Sequence, residues 1–440
     1  MIKEIILKTR QLIYDLNDNF MFIGMPLEIG WRLLHRLKFI FGKKILDLKG
    51  QLKCNIDNIN PDSIYWVNPQ RIRYYLNSRF KKWKDYDKIK KGKWDRSKKL
   101  IEDLDVYKAV IQRFNEGKNW EDTKFYQKIL KDVSKGIIKW DCKNKEEWDK
   151  ILNEFESLYY EIKSSSSESK KKLFNSKELF VKLNLPKALH NIIINISRDG
   201  ELLLIKGKFM LSLAKLLDIP EVPIIIKTRH KKWINFKKDL SYLSRQGPLY
   251  QQSTHPDLQE FPFVYGDNRF NMIKENISIT KGNVLDIGAN LGYFCRKFEE
   301  MGFDCYAVEA NSYYIHFLKK LKKAENKKFK IIKGTIFNYK KNQEITFDVV
   351  LALFIFHHFL KRRNTYFNLV KLLNRIKVKE LFFGAYNPSS FRNPKVYKSY
   401  TPDQFVNFIL ENSCLNKAKF IGKTKKGRCL YKLTSESSSY

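Results

Sequence analysis

Cysteine is scarce and scattered in this chain. Cys54, Cys142, Cys295, Cys305, Cys414 and Cys429 include no C-x-x-C pair, which argues against a zinc site and a disulfide framework and fits a reducing cytoplasm. A long apolar run is also missing. The most hydrophobic stretch, Phe20 to Phe41, is interrupted by Glu28, Arg32, His35, Arg36 and Lys38, too many charges for a segment that crosses a bilayer. Met1 to Ile13 carries Lys3, Glu4, Lys8 and Arg10 without cleavage-like small residues, so no secretory leader is expected. Acid is the minority charge: 47 Asp and Glu stand against 84 Lys and Arg, a net +37. A surface that basic attracts an anionic partner, a membrane surface or nucleic acid. Yet the lysines are spread through KKWKDYDKIKKGKWD, SESKKK and KKLKKAENKKFK alike, as on any solvated lysine-rich surface, and form no single stripe.

What is present suffices for several cores. At 440 residues, 43% of them hydrophobic, two or three domains are expected. Residues 1–60 read as a helical N-terminal extension. Leu33, Leu34, Leu37, Ile40 and Phe41 share one helical face there, suited to packing on the protein's own core or to lying on an anionic membrane, which would make the chain peripheral at the inner membrane surface. Asn60, Pro61 and Asp62 then punctuate the chain, and a second unit of α+β character is expected over 61–240. Within it SIYWVNP reads as a short strand, Tyr107, Val110, Ile111 and Phe114 line a helix, and Ser164 to Lys172, SSSSESKKK, reads as a polar loop. Ile192 to Ile196 and Glu201 to Ile205 read as strands around a turn at Arg198 to Gly200. A helix over Phe209 to Leu217 follows, leading into IPEVPIII.

The third unit, over 241–440, opens with an arm rich in Pro, Gly, Gln and aromatics, where Tyr250, Gln251, His255 and Arg269 are candidates to fold over a ligand. VLDIGANLGYF, Val284 to Phe294, then reads as strand, glycine turn and helix. Gly288 and Gly292 allow backbone angles closed to other residues and let a ligand lie against bare main chain at the carboxyl end of a strand. About twenty residues on, Cys305 to Val308 forms a second strand ending in Glu309, where an acid can accept hydrogen bonds from both hydroxyls of a ribose. Regular alternation continues to the C-terminus: helix Tyr313 to Lys322, strand Lys328 to Lys333, strand Phe347 to Leu353, helix Tyr366 to Arg375, strand Glu380 to Ala385, helix Pro402 to Asn412, and strands Ala418 to Gly422 and Arg428 to Leu433.

The spacing of Asp286, Gly288 and Gly292, with Glu309 at the second strand end, resembles the S-adenosylmethionine site of Rossmann-like methyltransferases over roughly the last 190 residues. That resemblance implies an α/β fold with a seven-stranded sheet and S-adenosylmethionine as cofactor. It places Asp286, Gly288, Asn290, Gly292 and Tyr293 near methionine and ribose, Glu309 on the ribose hydroxyls, and Gly334, Thr335 and Ile336 near adenine. Many relatives carry an acid at the position of Thr335, so adenine recognition here leans on main chain or Asn338. The second unit resembles ParB/sulfiredoxin-like domains through WVNP and through Gly207 before an apolar helix. Where that family has His-Arg, this chain has Phe209 and Met210, which implies a module without phosphate chemistry.

Methyl transfer needs an aligned acceptor and, for an alcohol, a base. The loop FIFHHF offers His357 and His358, of which one is expected to face the site. The loop has neither the Asn/Asp-Pro-Pro-aromatic run nor the Pro-Cys pair of DNA-base methyltransferases. LDIGANLGYF with FHHFLK is similar to methyltransferase domains associated with surface-polysaccharide assembly, which implies a glycan or other small-molecule acceptor. Two alternatives stay open: a nucleic-acid-binding protein with RNA or DNA methyltransferase activity, and a non-catalytic scaffold.

Overall fold

The computed structural model describes residues 63–76, 89–138, 142–174, 191–245, 248–386 and 396–435. The helical extension expected over residues 1–60 lies outside them. Two mixed sheets of seven strands each, joined by a short two-stranded strap, organise the rest.

The first sheet comprises β1 (Ile64–Val67), β2 (Tyr74–Leu76), β3 (Ile89–Lys90), β4 (Lys98–Leu100), β5 (Ile192–Ile196), β6 (Leu202–Lys206) and β7 (Val222–His230), in the order β1-β7-β5-β6-β2-β4 with β3 against β7. Its helices are α1 (Asp105–Phe114), α2 (Lys124–Val133), α3 (Lys145–Lys163), α4 (Ser167–Phe174), α5 (Lys208–Leu216) and α6 (Lys231–Arg245). Gly207 starts α5 at φ +81°, where a Cβ would stand 2.6 Å from the Asn191 carbonyl oxygen and 2.9 Å from Ile192 Cα, so glycine alone fits. Phe209 and Met210, in the first turn of α5, are buried. Phe209 packs between Trp120, Phe125 and Phe155.

The polar loop expected over Ser164–Lys172 is corrected in part: its second half is the start of α4. The Ser166 hydroxyl accepts the Ser169 N–H at 3.4 Å, Phe174 is buried at the far end, and Lys171 pairs with Glu221 at 2.7 Å while lying over the Trp66 ring. One buried aromatic anchor and a serine cap are enough to set a short polar helix against a packed surface.

The second sheet contains β10 (Asn283–Ile287), β11 (Asp304–Glu309), β12 (Lys330–Lys333), β13 (Ile345–Leu353), β14 (Ile376–Gly384), β15 (Lys417–Lys423) and β16 (Cys429–Thr434), ordered β12-β11-β10-β13-β14-β16-β15. The first five strands are mutually parallel and β16 runs antiparallel to both neighbours. Helices α7 (Asn268–Asn276), α8 (Tyr293–Glu300), α9 (Ser312–Ala324), α10 (Arg363–Arg375) and α11 (Pro402–Glu411) supply its cover and crossovers. Chain order reverses between β10 and β13, the place where an open α/β sheet leaves a crevice beyond its strand ends.

The two units share one core. Leu291, Phe317, Leu321 and Ala324 of the second pack in the same buried cluster as Ile196, Trp233, Phe236 and Leu240 of the first. Between them β8 (Leu249–Gln251) and β9 (Phe263–Tyr265) pair in parallel, with Pro256–Leu258 forming a 3-10 turn. Asp257 in that turn accepts from Arg229 and Trp233, each at 2.7 Å, and His255 meets the Gly200 carbonyl at 2.8 Å. Arg229, His230 and Trp233 are therefore buried structural contacts, His230 facing the Gly92 carbonyl at 3.0 Å. Among the described residues no helix is long and apolar enough to cross a membrane, and no group of three or more His, Cys, Asp or Glu is arranged to hold a metal ion.

Candidate active site

The turn after β10 is built by hydrogen bonding rather than by its side chains. Gly288 and Ala289 both donate their N–H groups to the Val308 carbonyl at 2.9 Å, and the chain passes through left-handed angles at Gly288 (φ +81°), Asn290 (+53°) and Gly292 (+75°) before α8 begins. Asparagine tolerates that region better than other side-chain-bearing residues. Glu309 ties this turn to the next one. Its Oε2 accepts the Asn290 N–H and its Oε1 the Asn311 N–H, both at 2.8 Å. Each oxygen keeps a further lone pair for a ligand. Burial raises the Glu309 carboxyl above the ordinary carboxylate range, and the main-chain N–H groups pull it back in part.

Beside Glu309 opens a cavity of about 420 Å³, within the size range of small-ligand sites. Gly288, Asn290, Glu309, Gly334, Thr335 and Ile336 line it, as do His357 and His358. Gly334 sits at φ +116°, leaving main chain open beside Thr335. Asn338 is not in the lining; it closes a turn by donating its N–H to the Thr335 carbonyl at 3.1 Å. Asp286, Gly292 and Tyr293 also stand behind the lining. Gly292 serves close packing, since a Cβ there would meet Leu318 Cδ1 at 2.3 Å. Tyr293 turns inward, its N–H on Gln251 Oε1 at 3.2 Å and its hydroxyl on Asp267. Of the arm residues, Tyr250 reaches the cavity, Gln251 caps α8, and His255 is wholly buried between the units.

Arg269 is buried with its guanidinium 4.1 Å from the Tyr265 ring centroid and 5.2 Å from those of Tyr250 and Phe294. Packed by ring faces, it lends partial electrostatic support to Asp286. Burial nevertheless pushes the Asp286 carboxyl up to about 7; Arg269 opposes that and Glu309 adds to it. A carboxyl raised in the folded state stabilises the fold while protonated and loses that contribution as pH climbs from about 4 through about 7. Asp286→Asn should therefore raise the Tm of the ligand-free protein at pH 8, by an amount corresponding to at most roughly 4 kcal/mol, and leave it near native at pH 4. Thermal melts of both proteins at the two pH values measure this; equal Tm at pH 8 would contradict it.

The far end of the cavity lies three strands from Glu309, over β13, β14 and β16. Phe354 follows the last residue of β13 at φ +59°, an unusual angle for a bulky residue, with its N–H on the Gly384 carbonyl at 3.3 Å. A Cβ at Gly384 would come within 2.8 Å of that nitrogen, so the two residues require each other. Strain of this kind collects at ligand sites. It turns the chain so that both His357 and His358 line the cavity, where one was expected. The His357 ring stacks on Tyr386 at 4.4 Å and lies 4.0 Å from His358. Burial, then His358, Lys361 and Arg428, lower His357 to about 2, and burial with Lys361 lowers His358 to about 4. Both are neutral at pH 7. Arg428, which sequence reasoning passed over as the start of a strand, lies over the Tyr386 ring at 4.0 Å and donates to its hydroxyl at 2.5 Å. Tyr314 and Tyr386 were likewise missed; only the fold reveals that both line the cavity.

Residues 285–375 match the model of a methyltransferase domain. The cofactor implied is S-adenosylmethionine, and the site fits it: bare main chain at Gly288 and Gly334, and a buried carboxylate at the second strand end. None of the curated proteins matches the chain. Among solved structures, the bifunctional kinase-methyltransferase WbdD is similar at 18% identity with a TM-score of 0.37, over 44% of this chain and 45% of that one. The present chain thus spans under half the length of WbdD. A SAM-dependent methyltransferase from Archaeoglobus fulgidus is similar at 19% identity and a TM-score of 0.29, over 39% and 95% of the two chains. The N-methyltransferase NodS from Bradyrhizobium japonicum WM9 is similar at 13% identity and a TM-score of 0.31, over 39% and 96%.

Proposed function

We propose that the chain is an S-adenosylmethionine-dependent O-methyltransferase whose acceptor is a glycan or other small hydroxylated molecule, methylated at a phosphate-linked oxygen. The observation that carries this reading is Arg428 seated on Tyr386 at the end of the cavity away from Glu309, with no carboxylate among the described lining residues there. Arginine presents a donor fork that matches a phosphate, and the two neutral histidines add donors or acceptors without a competing charge.

When bound, S-adenosylmethionine supplies an electrophilic methyl group. Glu309 accepts from the ribose hydroxyls, Gly288 and Gly334 let main chain approach, and Tyr250 and Phe354 exclude water beside the reacting centre. An alcohol acceptor must lose a proton, and imidazoles lowered to about 2 and about 4 are poor bases for that step. A phosphate oxygen already carries the lone pair and the negative charge. It would accept the methyl group with no proton to remove, so the residues of this chain need only hold and orient it. His357 and His358 then orient the acceptor and take no proton.

The test is transfer of labelled methyl groups by the full chain to sugar phosphates and to the same sugars without phosphate. Labelled phosphodiester product is expected, and Arg428→Met should lower kcat/KM for it by about tenfold or more, the value of one charge-assisted hydrogen bond. Label appearing on neutral sugars alone, or on nucleic acid alone, would overturn the assignment.

A further inference from the structure

We infer that Arg71, in the first unit, is a positioning residue for the cofactor turn of the second, so that the first unit completes the cofactor site. This rests on the reading of that turn as a cofactor seat. Arg71 closes the short 3-10 turn Pro69–Arg71 between β1 and β2. Its Nη1 donates to the Thr254 carbonyl at 2.7 Å, and its Nη2 pairs with Glu325 Oε2 at 3.2 Å. Glu325 follows the last residue of α9 and is buried.

From there a continuous chain of contacts reaches the turn. The Thr254 hydroxyl meets both Glu325 oxygens, at 2.6 and 2.7 Å, and accepts from Arg296 Nε at 2.8 Å. Arg296, wholly buried on α8, has Nε 3.6 Å from the Glu325 carboxylate and donates its Nη1 to the Leu291 carbonyl, between Asn290 and Gly292. The same strap holds the turn a second time, where Gln251 accepts the first N–H of α8.

Charge makes Arg71 necessary. Glu325 faces two guanidinium groups, and Arg71 has a second anchor on the Thr254 carbonyl that fixes where the Thr254 hydroxyl and the carboxylate stand. Without Arg71, Arg296 is the one guanidinium among the described residues that still faces Glu325 and Thr254, and it can follow them away from Leu291. The turn angle at Asn290 lies in a region sparsely populated by residues that carry a side chain and persists only while neighbours hold it.

The full-length protein tests this without any ligand, through amide hydrogen exchange of residues 288–293. Arg71→Met should speed exchange there by about tenfold relative to β10 and β13 in the same molecule, a coupling of ordinary size. Lys320→Met removes a different contact across the same boundary, to Asp199 and the Arg198 carbonyl at 2.9 and 2.8 Å, and should leave the turn unchanged. Native exchange at the turn in folded Arg71→Met overturns the inference, as does equal loosening in Lys320→Met, which would mark a general interface effect. Should Arg71→Met not fold, Thr254→Val removes the bridging hydroxyl and keeps every charge; a turn unaltered in that variant overturns it equally. Calorimetry with S-adenosylhomocysteine adds the functional arm, with affinity expected about fivefold or more lower in Arg71→Met. A native protein that binds no S-adenosylhomocysteine defeats the cofactor reading, while the exchange result still decides the coupling.

Discussion

Glu309→Ala should weaken S-adenosylmethionine binding by about a hundredfold or more, the value of two hydrogen bonds to a charged acceptor. On the proposed reading the side chain has two tasks: it is to receive the ribose hydroxyls, and through Asn290 and Asn311 it holds two strand-end turns in register. Glu309→Gln retains one acceptor and should lose about tenfold. Because burial raises the Glu309 carboxyl, affinity should also decline on acidification sooner than an ordinary carboxylate would allow. Calorimetry across a pH series measures all three. Affinity in Glu309→Ala within about twofold of native would remove the nucleoside assignment.

Glu325→Gln should destabilise the chain by about 3–5 kcal/mol, because it leaves the buried Arg296 and the half-buried Arg71 without their shared counter-charge. The same group sets an acid limit. Arg71, Arg296 and His255 outweigh the burial that opposes them and hold Glu325 at about 2, so its contribution is complete above about 4.5 and disappears as pH falls toward 2. Native stability should drop across that window and the stability of Glu325→Gln should drop less. Urea titrations at pH 7, 4 and 3 provide the comparison. Identical midpoints for the two proteins at pH 7 would mean that the network contributes nothing net.

The strand and helix alternation after Val284 was legible because each element carries its own period. Helix α9 was expected from Tyr313 and starts at Ser312; β13 was expected from Phe347 and starts at Ile345. Glu309 and the glycine turn were legible because close main-chain approach leaves few residue choices. Three kinds of feature were not. Arg428 and Tyr386 stand more than forty residues apart and meet only because β16 runs antiparallel beside β14. Asp286, Gly292 and Tyr293 belong to the turn by sequence, yet whether a turn residue faces the ligand or the helix packing is decided by Leu318 and Gln251, which no local pattern reveals. The helix at Ser167 was hidden by its polar composition, since Phe174 anchors it by tertiary burial and not by propensity. The lowering of both histidines belongs to the same class, since FHHF shows two neighbouring imidazoles but not the burial around them.

The common core has a consequence for how such a chain can be divided. Cutting before the strap would uncover Leu291, Phe317, Leu321 and Ala324 together on the released C-terminal piece, an adhesive face of the sort that drives aggregation. The boundary evident in the alphabet of residues is therefore no place for scissors, and transplanting the C-terminal unit onto another partner requires a replacement surface of matching shape and charge.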